Sequence, residues 1–516
     1  MFVRRKMREV EDTCAKATYA KKVRIHIFGA ASTYVNRRFY TMDDNITREK
    51  VSHIFSNRDL WRLIWPLLVE QLLQITVGMA DIIMVASLGE DAVSGVSLVD
   101  QINVLLTQLF AALAAGGAVV CSQMIGSGNT KKASDSAKQL LYVGGAASVI
   151  ILIGGLLLHR PILSGTFGAV TPEVMANSQK YFIITLFALP GIAIYNSAAA
   201  LFRAQGNSNI SMQTAVIANM INVCGNALLI FGLGCGVEGV ALPTVAARTV
   251  GAVILIRRLR LMSDKSGAKV DIRGLGKIDF DGALIKKILS VGIPSGVENS
   301  MFQVGKLIVL SLIATYGTTA VAANAVTATL ASFQVFPGAS VGLAMLTVVG
   351  QCVGAGRKDE ADRYVKRLVG AAYIGLIAIN IPMVIFAPEV IGLYGLSDEV
   401  SGLAWLMTMT HGVCAMLWWP LSFTLPNALR ASGHAMFTMC VSMATMWTIR
   451  VGLSYVFDAT GIFGLIEAMG WPRSYGAEGT WLAMITDWLV RLSLFVWCYR
   501  RWMKKEREIW TCSHAR

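Results

Sequence analysis

From residue 59 onward the chain alternates long apolar runs with short polar breaks. Residues 140–158 (LLYVGGAASVIILIGGLLL) hold no charge at all. At about 1.5 Å of rise per residue, a helix of that length crosses a hydrocarbon core of roughly 30 Å. Comparable runs recur along the chain, and the pattern predicts twelve membrane-spanning helices. Their expected extents are residues 59–87, 92–125, 136–158, 179–203, 211–233, 239–262, 284–315, 319–353, 364–388, 401–428, 436–458 and 479–502. The fold class is all-α integral membrane.

Composition agrees with the pattern. Of the 516 residues 54% are apolar and 15% charged, with a mean hydropathy of +0.56. A soluble domain carries about a quarter charged residues. Residues 1–58 are basic and lack the apolar segment of a cleavable signal. The nine cysteines are scattered singly with no C-x-x-C pair, so neither a disulfide framework nor a zinc site is expected.

The net charge of +14 is concentrated in three places. Residues 1–58 hold 13 Lys and Arg against 6 Asp and Glu, residues 257–287 hold 9 against 4, and residues 500–516 hold 6 against 2. Basic residues flanking membrane spans point to the cytoplasm rather than to nucleic acid. Loops after even-numbered spans carry Lys131, Lys132 and Lys138, then the 257–287 cluster, then Arg357, Lys358 and Arg363. Loops 88–91, 234–238, 316–318 and 389–400 carry none, with Arg160, Arg473 and Lys180 as exceptions. Both termini are therefore expected in the cytoplasm, and the protein in a bacterial cytoplasmic membrane. The division expected is a basic tail over 1–58, helical bundles over 59–262 and 284–505, a cytoplasmic linker over 263–283, and a tail over 506–516. Met42 (MDDNITREK) is an alternative start to the tail.

The two halves repeat each other at an offset of 228 residues. Pro66-x-x-Val69-Glu70 recurs as Pro294-x-x-Val297-Glu298, and Gln123-x-x-Gly126-x-Gly128 as Gln351-x-x-Gly354-x-Gly356. One residue out of step, Arg203-Ala-x-Gly206 pairs with Arg430-Ala-x-Gly433. Six spans return the chain to its starting side, so the copies share one orientation. They are expected as two bundles related by a pseudo-twofold along the membrane normal, as in transporters that rock about a central cleft.

In order and spacing these motifs resemble the multidrug and toxic compound extrusion (MATE) family over residues 59–505. The features that carry the likeness are Pro66…Gly78-Met-Ala-Asp81, the Gln123–Asn129 loop with its twin, Leu201-Phe-Arg-Ala-Gln-Gly206, Asn222-x-x-x-Asn226, and Gly239-x-Ala-x-x-Thr244. The resemblance implies a V-shaped pair of six-helix bundles and antiport of drugs or metabolites against protons or sodium. It implies further that Asp81 is the ion-coupling aspartate, with Asn222, Asn226 and Thr244 as polar partners and Na⁺ at Asp81 as one option. Asn226 stands where some members have a second carboxylate. Phe302 stands where some have a carboxylate in the seventh span, and the tenth-span acid is missing. The ion site is accordingly expected in the N-terminal half.

Ionisable groups inside a span are costly and are functional candidates by default. Glu70 and Asp81 are eleven residues apart, three turns plus about 20°, so they share a helix face with Gln74 between them. That stripe should face a cavity or another helix. Glu298, Asn299, Gln303 and Lys306 mark the seventh span, and Lys306 lies too deep to snorkel, so an acidic partner among Asp81, Glu70 and Glu298 is expected. Asp100 is a further cavity candidate near the outer interface. Asp487 and Arg491, at i and i+4, read as a structural pair. Among the aromatics, most of Trp418, Trp419, Phe423, Phe333 and Phe336 read as packing or interfacial anchors, with an unspecified minority left to form a wall for flat cations.

Four rival readings fare worse. Gly234-Cys-Gly-Val-Glu-Gly239 fits G-x-G-x-x-G, but joins two spans with no strand–helix–strand unit around it. No Walker loop is present for ATP, and no H-E-x-x-H or G-x-S-x-G for an intramembrane enzyme. A flippase for lipid-linked saccharides would need a strongly cationic cavity. Glu70, Asp81, Asp100 and Glu298 favour organic cations as cargo, moved without a cofactor by a protein whose only other partner is membrane lipid.

Overall fold

The computed structural model describes residues 53–167, 170–263, 269–277, 279–459 and 472–514. The basic tail up to residue 52, and with it the alternative start at Met42, lies outside the described residues.

Among the described residues, eleven helices are long and apolar enough to cross a membrane, and a bent pair, taken as one span, makes twelve. The first six are Asn57–Ala86, Glu90–Gly126, Thr130–Thr166, the pair Pro172–Leu186 and Leu189–Ala204, Asn209–Gly232, and Glu238–Ser263. The second six are Gly282–Ala314, Thr318–Gly354, Lys358–Ile385, Asp398–Ala431, Ala435–Asp458 and Arg473–Lys504. No strand occurs among the described residues. The fourth span bends by 46° at Phe187 and Ala188. There Pro190 has no N–H to continue the ladder from the preceding turn. Outward-pointing aliphatics such as Ile150, Leu157 and Ile374 are more than two-thirds exposed, as expected of side chains that meet lipid.

Three spans carry a π-helical turn: Leu228–Gly232 in the fifth, Pro420–Thr424 in the tenth and Met446–Val451 in the eleventh. Such turns shift the side chains after them around the helix axis and are frequent at functional sites.

The halves meet along a seam made twice by the repeat. A Cβ at Gly126 would overlap the Gln351 carbonyl, and one at Gly354 would overlap the Gln123 carbonyl, so only glycine lets the second and eighth spans cross this closely. Beside each crossing a glutamine closes the gap. Gln123 Nε2 donates to the Ala431 carbonyl at 2.9 Å, and Gln351 Nε2 to the Ala204 carbonyl at 2.7 Å. Residues 123 and 351 are repeat images, as are 204 and 431 one step out of register.

The linker packs on the first half. Val270 and Ile272 are fully buried, the Asp271 N–H donates to Ser134 Oγ at 2.8 Å, and Tyr142 donates to the Leu275 carbonyl at 2.9 Å.

Candidate functional site

Polar clusters lie within the spans of both halves. In the N-terminal half, Asn226 Nδ2 donates to Asp81 Oδ1 at 2.7 Å, joining the first and fifth spans. One turn away, Asn222 Nδ2 donates to Thr244 Oγ1 at 3.0 Å, and that hydroxyl donates to the Val240 carbonyl. Asn222 and Asn226 are buried and Asp81 is half-buried. The four residues that the resemblance singled out therefore come together. Nearby in the same half, Asp100 Oδ1 accepts from Tyr181 Oη at 3.1 Å and from Asn103 Nδ2 at 3.4 Å.

The unused atoms of this cluster are acceptors. Asn222 Oδ1 and Asn226 Oδ1 are buried with no hydrogen-bond partner among the described residues. Buried acceptors left unsatisfied are costly. Together with the carboxylates they form an oxygen-rich place that suits a proton or a small cation with oxygen ligands.

Glu70 and Glu298 do something else. Glu70, 3% exposed, sits 3.5 Å from Arg203 Nη1 and accepts from Ser211 Oγ at 3.2 Å. Its repeat image Glu298 accepts from Arg430 Nη2 at 2.7 Å, while Arg430 Nη1 donates to Asn427. Both carboxylates are tied into buried ion pairs with arginines of their own half. The polar stripe on the first span therefore faces the fifth span, through Glu70 to Ser211 and Asp81 to Asn226, while Gln74 is exposed. Asn299 and Gln303 are half-buried on the seventh span.

Among the described residues Lys306 has no acidic partner. Glu70, Glu298 and Asp81 are engaged as above, and no carboxylate among the described residues forms an ion pair with Lys306. Instead its Nζ lies 5.2 Å from the centre of the Phe302 ring. Arg450 Cζ lies 5.2 Å and Arg491 Cζ 5.6 Å from the same ring. Three cations thus surround the aromatic residue that stands where a carboxylate was looked for. No two of them are more than about 11 Å apart, so each pair repels by at least about 1.5 kcal/mol at an effective dielectric near 20, before solvent screening. One anion answers them: Asp487 Oδ1 accepts from Arg491 Nε at 2.8 Å, the expected i,i+4 pair, and Arg491 also donates to Thr445 Oγ1 and the Ser442 carbonyl.

The aromatic wall runs on from Phe302. Phe423 lies edge-on to it at 6.5 Å, Trp419 stacks on Phe423 at 5.1 Å, and Trp488 meets Phe423 at 5.8 Å. Of the aromatics picked from sequence, Phe423 and Trp419 belong to this wall. Arg450 was not picked at all. An arginine inside an apolar span was signal enough, but its position on a π-helical turn was not readable from periodicity. Tyr181 was also missed, because nothing local ties it to Asp100. The pairing of Arg203 and Arg430 with the two glutamates was hidden in plain sight, since all four residues are repeated.

Comparisons with known proteins agree with this architecture. The MatE family model matches residues 66–228 and again 294–456, two stretches 228 residues apart like the internal repeat. A transporter of Bacillus subtilis, YisQ, is 28% identical over 458 residues, covering 86% of this chain and 94% of its own. A probable multidrug resistance protein of Thermotoga maritima, NorM, is 23% identical over 474 residues, covering 91% and 97%. Among solved structures, an outward-facing multidrug resistance MATE transporter superposes with a TM-score of 0.78 at 21% identity, over 87% of this chain and 96% of its own. A MOP superfamily transporter from Pyrococcus furiosus, described as having a binding pocket of reversed polarity, superposes at 0.79 with 20% identity, over 87% and 96%.

Proposed function

Because the chain belongs to the MatE family of multi-pass membrane transporters, we propose that it is an ion-coupled antiporter that exports small organic molecules across the bacterial cell membrane. The observation that carries this reading is the Asp81–Asn226 contact with the spare amide oxygens beside it. A half-buried carboxylate among neutral oxygens holds a proton or Na⁺ without a permanent counter-charge and gives it up when the surroundings change. Transport then follows from exclusion: the cargo and the ion bind in turn while the cleft opens to one side and then the other.

The basic loops orient the chain with both termini in the cytoplasm. On that orientation the seam at Gln123, Gly126, Gln351 and Gly354 closes the cytoplasmic end. Organic cations are drawn to the N-terminal half by Asp81 and Asp100. The argument for them from Glu70 and Glu298 lapses, because arginines neutralise both. The likeness to multidrug resistance proteins supports small-molecule export over a lipid-linked saccharide flippase.

Substrate-evoked proton movement in everted vesicles tests the reading, with ethidium as the probe and with or without sodium. Wild-type protein releases protons or exchanges sodium on ethidium addition, and Asp81→Asn lowers coupled transport at least 100-fold while the protein still folds. Full coupling in Asp81→Asn refutes the assignment of the ion site.

A further inference from the structure

The C-terminal cluster contrasts with the N-terminal one: two of its three unused buried atoms are donors. Arg450 is 9% exposed, and its Nε has no hydrogen-bond partner among the described residues. Its guanidinium makes neither an ion pair nor a hydrogen bond there. Trp488 Nε1, on a side chain 2% exposed, is likewise without an acceptor. Lys306 is exposed and has no carboxylate within ion-pair distance among the described residues. Arg491 is spent on Asp487, Thr445 and Ser442, and one Asp487 oxygen remains unpartnered. Counting Lys306, Arg450 and Arg491 against Asp487, the cluster carries a surplus of two positive charges.

A buried arginine with free donors is expensive, and the cost is met when an anion arrives. The walls of the place are rings: Phe302, Phe423 and Trp488. Arg450 and Phe423 both stand on π-helical turns, where the backbone re-aims side chains. We infer that this cluster is a cargo subsite for the anionic group of an aromatic organic acid, a carboxylate or sulfonate carried on a flat ring. Lys306 and Arg450 take the charge, Trp488 Nε1 adds a neutral donor, and the ring packs on Phe302 and Phe423. The inference rests on the exporter reading above and extends its cargo beyond organic cations.

Full-length protein in nanodiscs, titrated calorimetrically with 1-naphthoate and with its uncharged methyl ester, tests the subsite. Naphthoate is expected to bind at least ten-fold more tightly than the ester. Lys306→Gln, at an exposed position the fold tolerates, should lower naphthoate affinity by about ten-fold and leave the ester unchanged, as expected for one lost charge-assisted hydrogen bond. Lys306→Arg should restore binding, and Lys306→Glu should abolish the preference for the anion. Equal affinity for acid and ester, or a Lys306→Gln protein with the wild-type preference, overturns the inference. Gradient-driven ethidium transport in proteoliposomes is scored separately. Transport without a naphthoate preference sinks the subsite alone, whereas naphthoate binding without any ion-driven transport sinks the exporter reading alone.

Discussion

The two halves share one plan and carry opposite chemistry. Glu70 and Glu298, Arg203 and Arg430, Gln123 and Gln351, and Gly126 and Gly354 are kept in both copies, and each does the same job in each. The groups at the centre of the lobes are not kept. Counting 228 residues on, Asp81 becomes Val309, Asp100 becomes Ala328, and Gly78 becomes Lys306. The eleventh span, counterpart of the fifth, brings Arg450 where the fifth brings asparagines. Positions that hold the bundles together are thus duplicated, while the polar positions at the centre of each lobe, where we propose that ion and cargo bind, have diverged. The N-terminal cluster offers the spare amide oxygens of Asn222 and Asn226, and the C-terminal cluster the spare donors of Arg450 and Trp488 beside one spare Asp487 oxygen.

The contrast predicts how each lobe breaks. Arg491 is 2% exposed and bound to a fully buried Asp487, so Arg491→Ala strips that buried carboxylate of its hydrogen-bonded partner and should cost about 3–5 kcal/mol. Asp81→Asn leaves only neutral partners and should cost less than about 1 kcal/mol. Thermal unfolding in detergent compares them, and equal losses would mean that Asp81 is a structural group too.

The shared seam should break symmetrically. Gly126→Ala and Gly354→Ala each force a Cβ into a carbonyl of the opposite half and should each cost about 1–3 kcal/mol of overpacking. Both should also spread the ends of the second and eighth spans, read as longer spin-label distances between Asn129 and Asp359. An effect at one glycine only would show that the two crossings are not equivalent.

The smallest expected difference lies in the duplicated ion pairs. Arg430 meets Glu298 at 2.7 Å and Arg203 meets Glu70 at 3.5 Å with a serine assisting. Arg430→Lys should therefore destabilise more than Arg203→Lys, by about 1 kcal/mol, because lysine cannot also reach Asn427 with a second N–H. Unfolding midpoints of the two variants decide it.

The sequence determined the spans, the repeat and the members of the polar cluster around Asp81. Hydrophobic runs of bilayer length are a local property, and the expected extents differ from the observed helices by only a few residues at most ends. Asp81, Asn222, Asn226 and Thr244 were legible because a resemblance places them by motif. What the tertiary structure decided is which charge meets which. Lys306 was expected beside a carboxylate, since a lone buried ammonium is costly. The candidates were already bound to Arg203, Arg430 and Asn226, contacts made by helices more than a hundred residues apart in the chain. Periodicity places a side chain on a face of its own helix, but the partner across that face depends on packing and on wide turns such as the one that carries Arg450. Electrostatic pairing is a property of the assembled bundle, and for that reason the polarity of each lobe could be read only after folding.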